Sequence, residues 1–242
     1  CGGDGNDTLQ IFATSGELIQ LQASLDAYQA HLAAGKIDEA FTFESLNLTV
    51  YGIENLVIIN TTPEPEVEVL TFDDIELAEG AEQPMPEGYG GFNWVQAGVY
   101  NPDGSITGYQ PTSGQNLGFV GEYFGGNLPG YEGDPGDPIQ ISRTDGSDFN
   151  VAGADFGAAF RPDLEVIVNA FDDGELVGSK SFIVGTSGAS SIAFDDEAGQ
   201  RFSSIDELQI SSIDGGSSGL FDDYFYVDNF AYSIPPSDDL IA

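Results

Sequence analysis

The sequence predicts a mostly β protein, in which a β-sandwich follows a small α+β module. Three observations support this fold class. Short apolar or alternating runs, separated by clusters of Gly, Asp, Asn and Ser, fill the chain from residue 69 to residue 234. One helical apolar stripe occurs, and it lies before residue 62. Between these two parts, residues 63–68 alternate Pro and Glu, a composition typical of an extended, self-repelling linker.

The first module, residues 1–62, is predicted to contain one amphipathic helix from about residue 17 to residue 34. Ser15 is a suitable N-cap, and Gly35 is a suitable stop. Large apolar residues recur at three- and four-residue spacing along one face: Leu18, Leu21, Leu25, Tyr28 and Leu32. We expect this stripe to pack on the short strands predicted at 41–43, 46–50, 53 and 56–59, with a coiled-coil partner as the alternative.

The second domain, residues 69–234, is predicted to be entirely β. Strand-like runs occur at residues 69–75, 92–95, 117–119, 139–141, 164–170, 176–184, 191–194, 205–211 and 225–233. Many short strands joined by turn residues are typical of a β-sandwich, and we predict its jelly-roll form. The first and last strands of a jelly roll commonly lie side by side. Residues 235–242 are predicted to be a tail or a further linker.

The charge balance excludes several classes of partner. The 242 residues carry 41 acidic and five basic side chains, which gives a net charge of −36. So acidic a chain repels nucleic acids and anionic membrane surfaces, whereas divalent cations or high salt would neutralise or screen it. No apolar run approaches the roughly 20 residues of a membrane-spanning helix, so we expect no membrane insertion. The single cysteine, Cys1, cannot form an internal disulfide.

Residues 2–10 read Gly-Gly-Asp-Gly-Asn-Asp-Thr-Leu-Gln, one turn of the nonapeptide G-G-x-G-x-D-x-U-x, where U is a large apolar residue. The stretch resembles the repeats of secreted bacterial RTX proteins. The resemblance implies Ca²⁺ binding through oxygen ligands, with Asp4 and Asp7 as candidates, and a secreted or cell-surface location. Each ion lies between successive turns. We therefore expect residues 1–62 to be the end of a repeat array with an α+β cap that closes its parallel β-roll, joined to other domains of a longer chain.

Four segments of the second domain carry a further resemblance. They are Leu-Thr-Phe-Asp-Asp-Ile at 70–75, Gly-Tyr-Gly-Gly-Phe-Asn-Trp at 88–94, Ser-Gly-Gln-Asn at 113–116 and Phe-Tyr-Val-Asp-Asn-Phe-Ala-Tyr at 225–232. In that order they resemble β-sandwich domains of exported bacterial proteins with a PEP-CTERM signal, and jelly-roll carbohydrate-binding modules. The resemblance implies a structural Ca²⁺ held by acidic residues of the first and last strands, here Asp73, Asp74 and Asp228. Asp228 also lies among apolar neighbours, where an unpaired charge is costly, and an exposed turn carboxylate is the alternative.

Aromatic residues are dense in the glycine-rich stretch from residue 88 to residue 132. Aromatic faces suit the apolar faces of sugar rings, and the candidates for glycan contact are Tyr89, Trp94, Tyr109, Tyr123 and Tyr131. Core packing is the alternative for each of them, most clearly for Trp94, whereas Tyr109 and Tyr123 are expected to be the more exposed. The acidic loop 130–137 has the composition of a calcium loop but not its spacing.

An enzymatic role is not expected. The only histidine, His31, lies on the predicted helix, which excludes Ser-His-Asp, Cys-His and His/Cys zinc systems. We predict a Ca²⁺-dependent carbohydrate-binding module that attaches a secreted RTX-type protein to polysaccharide or cell-surface glycan. The ligand would be neutral, or acidic and bound through Ca²⁺ or beside Arg143, Arg161 or Arg201. The alternatives are a structural or protein-contact module of a surface adhesin, and a polysaccharide lyase or hydrolase.

Overall fold

The structure is a computed structural model that describes residues 5–61, 65–120, 138–197, 199–213 and 223–235. The described residues form two units, one up to residue 61 and one comprising Pro65–Pro235. The division falls at the predicted linker, although Glu68 is already the first residue of a strand. Within the described ranges, no helix is long and apolar enough to cross a membrane.

The helix of the first unit, α1 (Ser15–Ala33), begins with a capping box. The N-cap is Thr14, one residue before the predicted Ser15. The Glu17 backbone N–H donates to the Thr14 hydroxyl at 3.4 Å, and the Thr14 N–H donates to the Glu17 carboxylate at 2.8 Å. The helix ends at the C-cap Ala34, and Gly35 follows with φ of +71°, a conformation that favours glycine.

The first unit has four strands: β1 (Thr8–Ala13), β2 (Phe41–Phe43), β3 (Leu48–Val50) and β4 (Asn55–Asn60). Strands β1 and β4 pair in parallel, and β2 and β3 form an antiparallel hairpin. Leu21, Leu25 and Tyr28 of α1 are buried against Ile11 and Phe43 of these strands. The helix stripe therefore packs within its own unit, as predicted.

The second unit is a β-sandwich of antiparallel strands. They are β5 (Glu68–Leu70), β6 (Glu82–Pro84), β7 (Phe92–Val95), β8 (Ala97–Tyr100), β9 (Leu117–Val120), β10 (Ile139–Arg143), β11 (Asn150–Ala158), β12 (Leu164–Asp172), β13 (Glu175–Val184), β14 (Ser190–Ala193), β15 (Glu207–Ile213) and β16 (Phe225–Ser233). One sheet has the order β13-β12-β15-β10-β7, and the other has the order β14-β11-β16-β9-β8-β6 with β5 added beside β16. The first strand of the domain thus lies beside the last, as the jelly-roll prediction requires. Strands β6, β8 and β11 are additional to the predicted ones.

The second unit has a main core and a smaller one, and strand alternation separates them. Val99 of β8 and Val227 of β16 face the main core between the sheets. Their neighbours Tyr100 and Tyr226 face the opposite way, into the smaller core. The outer face of the seven-stranded sheet is therefore apolar, and loop 101–116 covers it with the buried side chain of Tyr109.

Candidate functional site

The outer face of the five-stranded sheet is mixed: polar side chains share it with exposed or partly exposed apolar ones, which are Val95, Ile167, Phe171, Leu176, Ile183 and Ile213. In β12 alternate residues are fully buried in the main core, so the intervening ones lie on the outer face, each of them partly exposed: Glu165, Ile167, Asn169 and Phe171. The same alternation in β15 and β10 places Glu207, Gln209, Gln140 and Ser142 on this face. Polar groups that alternate with core residues are typical of a solvent-facing or ligand-facing sheet surface.

Strand register places three of these polar side chains and Ser179 of β13 in one line across the sheet. Gln140 pairs with Gln209, Gln209 with Asn169, and Asn169 with Ser179. We call these four residues the amide row. Val95 of β7 pairs with Gln140 and ends the line at one edge of the sheet. Neighbouring strands are about 4.7–4.9 Å apart, so the row offers one hydrogen-bonding side chain per strand at that spacing.

Hydrogen bonds within the face orient some of these side chains, whereas other donor and acceptor atoms have no partner among the described residues. The Ser179 hydroxyl donates to Asn169 Oδ1 at 2.7 Å, and Gln209 Nε2 donates to Glu207 Oε1 at 2.6 Å. Among the described residues, neither the Gln140 amide nor Asn169 Nδ2 has a hydrogen-bond partner. Donors and acceptors are therefore presented on strands of the sheet, where the backbone holds their positions.

A second line of paired residues runs beside the amide row, two positions away along each strand and three along β13, where the register shifts. It contains Asn93, Ser142, Glu207, Phe171 and Leu176. An open groove of about 510 Å³ follows this line, with Ser142, Arg143, Phe171, Asp206, Glu207 and Gln209 in its wall. Phe171 gives the groove an apolar patch between hydrogen-bonding groups, a combination common in ligand sites.

The positive charges near this face are already compensated. All five basic side chains of the protein have an oxygen partner: Lys36 with Glu39, Arg143 with Asp145, Arg161 with Asp163, Lys180 with the carbonyl of Ala193, and Arg201 with Asp172. At the rim of the groove, hydrogen bonds from Ser147 and the neighbouring Arg143 lower the pKa of Asp145 to about 2. Asp206 and Glu207 add negative charge to the groove wall. An acidic glycan would have to compete with the carboxylate partners of Arg143, Arg161 and Arg201, and binding beside these arginines stays a prediction.

The prediction that Tyr109 is exposed is wrong. Its side chain is only 3% exposed and packs against Tyr100, Phe119 and Tyr226 in the smaller core. A ring so covered has no face to offer to a sugar. The physical reason is that the outer face of the seven-stranded sheet is itself apolar, so an aromatic residue of the overlying loop gains more by covering it than by facing water.

Tyr89 and Trp94 pack against the main core. The Tyr89 ring stacks on Phe72, its hydroxyl donates to Asp74 at 2.7 Å, and Trp94 Nε1 donates to the Tyr89 carbonyl at 3.0 Å. Burial, followed by the hydrogen bond to Asp74, raises the pKa of the Tyr89 phenol far above its ordinary value. Both aromatic residues are partly buried and pack on the core with one part of the ring, so glycan contact by their exposed parts stays a prediction. Tyr123 and Tyr131 lie outside the described residues.

Asp228 is fully buried, and hydrogen-bond donors of the protein compensate its negative charge. Its carboxylate accepts the backbone N–H groups of Thr112 at 2.7 Å, Ser113 at 2.9 Å and Asn229 at 2.7 Å, and the Ser113 hydroxyl at 2.8 Å. Four donors satisfy a carboxylate as well as a metal ion would. Asp228 therefore ties loop 101–116 to the sheet, and its burial needs no Ca²⁺.

The other predicted ligands of the shared Ca²⁺ site bind different partners. Asp73 accepts the backbone N–H groups of Gln115 and Asn116 at 2.7 and 3.0 Å, whereas Asp74 accepts the Tyr89 hydroxyl. Among the described residues, no group of three or more acidic, histidine or cysteine side chains is placed to hold a metal ion. Asp73, Asp74 and Asp228 thus each accept hydrogen bonds from the protein, and a structural Ca²⁺ held by them together with backbone carbonyls stays a prediction. Asp7 lies at the start of β1, and Asp4 is outside the described residues, so calcium binding by the nonapeptide stays a prediction.

Asp155 continues the polar network beside Asp228 on the neighbouring strand. Burial raises the pKa of its carboxyl, but hydrogen bonds from Ser191, Thr112 and Asn229 together outweigh that effect, and the pKa lies below its ordinary value. Asn229 takes a left-handed conformation with φ of +50° at a bulge in β16, which turns its side chain toward this network.

Sequence reasoning missed the amide row. Its local signal is visible, since Gln140, Asn169 and Gln209 each occupy an alternate position between buried residues of a strand. What places them together is the pairing of β10 with β15 and of β15 with β12, strands that are far apart in the sequence. The alternation predicts an outward amide on each strand but not which amides become neighbours.

No protein-family model matches the sequence, and neither does any curated protein. Among solved structures, a DUF4465 family protein from Bacteroides ovatus ATCC 8483 matches with a TM-score of 0.41 at 10% identity, over 70% of this chain and 99% of that one. The agarase AgWH50C matches with a TM-score of 0.32 at 12% identity, over 63% of this chain and 23% of the agarase. TmCBM61, solved in complex with β-1,4-galactotriose, matches with a TM-score of 0.30 at 12% identity, over 62% and 95%. Likeness at this level carries no argument about function.

Proposed function

We propose that the second unit is a carbohydrate-binding module and that the outer face of its five-stranded sheet is the binding surface. The observation that carries this proposal is the amide row, in which hydrogen-bonding side chains from four adjacent strands stand in register. Sugar hydroxyls both donate and accept hydrogen bonds, and so do the amides of Gln140 and Asn169. Among the described residues, the Gln140 amide and Asn169 Nδ2 have no hydrogen-bond partner that a ligand would have to displace.

The groove beside the row supports the same proposal. Pyranose rings have apolar C–H faces as well as hydroxyls, and Phe171 is a partly exposed aromatic ring between Glu207 and Leu176. The groove of about 510 Å³ is within the size range of small-ligand sites. An apolar patch flanked by fixed polar groups suits a sugar better than a purely apolar ligand, which would leave those groups without partners.

The wider setting is proposed on separate grounds. The nonapeptide at residues 2–10 supports a secreted or cell-surface bacterial protein of RTX type, in which this module attaches the chain to polysaccharide. Calcium dependence is part of that setting. Because Asp73, Asp74 and Asp228 already accept hydrogen bonds from protein donors, we propose that a Ca²⁺ effect arises at the repeat in the first unit.

The test is binding of the full chain to a panel of polysaccharides, measured by pull-down and then by calorimetry on the best ligand. Gln140→Ala and Asn169→Ala should each weaken binding about 2- to 10-fold, as expected for the loss of one hydrogen bond. Gln10→Ala is the matched control, because Gln10 is an exposed strand glutamine of the first unit. Its affinity should equal that of the unsubstituted protein.

Two outcomes would contradict the proposal. One is that no polysaccharide binds, with or without Ca²⁺. The other is that the double variant Gln140→Ala, Asn169→Ala binds as tightly as the unsubstituted protein while it remains folded. Release of reducing sugars or unsaturated products from a bound polysaccharide would show instead that the module is an enzyme.

A further inference from the structure

We infer that the ligand is a linear, uncharged oligosaccharide that lies along the amide row, across the strands, with one sugar residue over each strand. This inference rests on the proposed function and adds the direction, the length and the charge of the ligand. The direction follows from how the face differs along its two axes. The length follows from the number of strands that carry the row, and the charge follows from the residues around it.

The two axes of the face offer different chemistry. Across the strands, the row Gln140, Gln209, Asn169 and Ser179 is polar throughout. Along β12, in contrast, the outward residues are Glu165, Ile167, Asn169 and Phe171, so a ligand parallel to the strand would meet a carboxylate and two apolar side chains. A chain of sugars presents similar hydroxyls at every residue. It therefore matches the axis across the strands, along which a hydrogen-bonding side chain recurs on every strand.

The spacing sets the length of the ligand. Adjacent members of the row lie on adjacent strands, about 4.7–4.9 Å apart, so the four members span roughly 14–15 Å. The spacing of about 4.7–4.9 Å between adjacent members is close to the length that one pyranose adds to an extended glycan. The second line, with Ser142, Glu207 and Phe171, lies about 6–7 Å away along the strands, within reach of the other edge of the same rings. Val95 and Ser179 belong to the two edge strands, so the row ends with the sheet.

The charges favour an uncharged ligand. Glu165, Glu207 and Asp206 lie on or beside the face, and Arg143 in the groove wall pairs with Asp145 at 3.4 Å. A uronate or sulfate placed on the row would face carboxylates and would have to compete with Asp145 for Arg143, and like charges at an interface are repulsive. Neutral hydroxyls meet no such cost, and Glu207 can accept a hydrogen bond from one of them.

The test is a length series measured by calorimetry on the full chain. The probes are neutral gluco-, galacto- and manno-oligosaccharides of two to six residues, and oligogalacturonates of the same lengths in the presence of a chelator. We expect the affinity for one neutral series to rise with each residue up to about four or five and then to level off, with a gain of about 2- to 10-fold per added hydrogen bond. The oligogalacturonates should not bind.

The double variant Gln140→Ala, Ser179→Ala truncates both ends of the row and should remove most of the gain from the disaccharide to the tetrasaccharide. If a disaccharide binds as tightly as a hexasaccharide, the inference is overturned while glycan binding itself stands. Binding of oligogalacturonates with chelator present would overturn the uncharged ligand. If neither the oligosaccharides nor any polysaccharide binds, the proposed function fails, and the inference fails with it.

Discussion

Replacing Asp228 should destabilise the second unit strongly, and the hydrogen bonds give the size of the effect. Asp228→Ala would leave the backbone N–H groups of Thr112, Ser113 and Asn229 without their acceptor. A buried donor without a partner costs about 1–3 kcal/mol. Because Thr112 is itself exposed, water can replace part of that loss. We therefore expect a decrease of about 3 kcal/mol in the free energy of unfolding, below the sum of three full penalties.

The assay is thermal and chemical unfolding of the full chain. For a unit of this size each kcal/mol lowers Tm by about 2–4 °C, so Asp228→Ala should lower the Tm of the second unit by about 6–12 °C. Asp228→Asn, which keeps the volume but points an NH₂ group at N–H donors, should lose a comparable amount. Asp148→Ala is the matched control, because Asp148 is exposed and has no hydrogen-bond partner among the described residues. It should change stability by less than about 0.5 kcal/mol.

Two results would refute this reasoning. The first is a loss below about 1 kcal/mol for Asp228→Ala, since that would mean that the four donors are satisfied without the carboxylate. The second is that a chelator lowers the Tm of the unsubstituted protein by as much as the substitution does and has no effect on the variant. That pattern would make Asp228 a calcium ligand, as the sequence resemblance implies, and not an anchor of the loop.

Three further predictions concern pH, aromatic packing and domain structure. Because the pKa of Asp155 is lowered in the folded protein, its ionised form contributes stability that is present at neutral pH and lost as pH falls below about 4. Asp155→Asn should therefore have a lower Tm than the unsubstituted protein at pH 7, and the difference in Tm should shrink toward pH 3. Tyr109→Ala should cost about 3 kcal/mol of stability and leave glycan affinity unchanged. Phe171→Ala should weaken glycan binding with little change in Tm. The reverse pattern would mean that the face covered by Tyr109, and not the face with Phe171, binds the glycan. Limited proteolysis should cut between residues 61 and 68 and leave a stable fragment that begins near β5, and a protease-resistant linker with a single unfolding transition would argue against two units.

One of the three strands that sequence reasoning missed, β11, lies between β14 and β16 and shows why part of the fold was not predictable. Its sequence, Asn-Val-Ala-Gly-Ala-Asp-Phe-Gly-Ala, is rich in residues that are poor strand formers. The glycines are needed because neighbours approach closely. A Cβ at Gly157 would lie 2.3 Å from the Tyr226 ring, and one at Gly153 would lie 2.7 Å from the Ile192 carbonyl oxygen. Those contacts come from other strands, so nothing local in the sequence indicates them.

The strands that alternate clearly were predictable, and so was the adjacency of the first and last strands. Leu164–Asp172 places its buried and outward residues in the order that its sequence suggests. The function of Asp228 was predicted only in outline. Its apolar neighbours correctly indicated a buried carboxylate that needs compensation, but the compensating donors belong to residues 112 and 113, more than a hundred positions away. The sequence alone could not distinguish loop donors from a metal ion.

The two outer faces of the sandwich differ in composition, and that difference decides how each face is used. The seven-stranded sheet presents Tyr100, Phe119 and Tyr226 outward, and leaving them in water would cost stability. Loop 101–116 covers them, and Asp73 and Asp228 hold that loop in place through four backbone N–H groups of residues 112–116. Tyr109, one of the aromatic residues that suggested a glycan site, is thereby used for packing. The five-stranded sheet presents amides and hydroxyls among its outward apolar residues, and water or a ligand can satisfy those polar groups. Under the proposed function, sugar hydroxyls would replace that water.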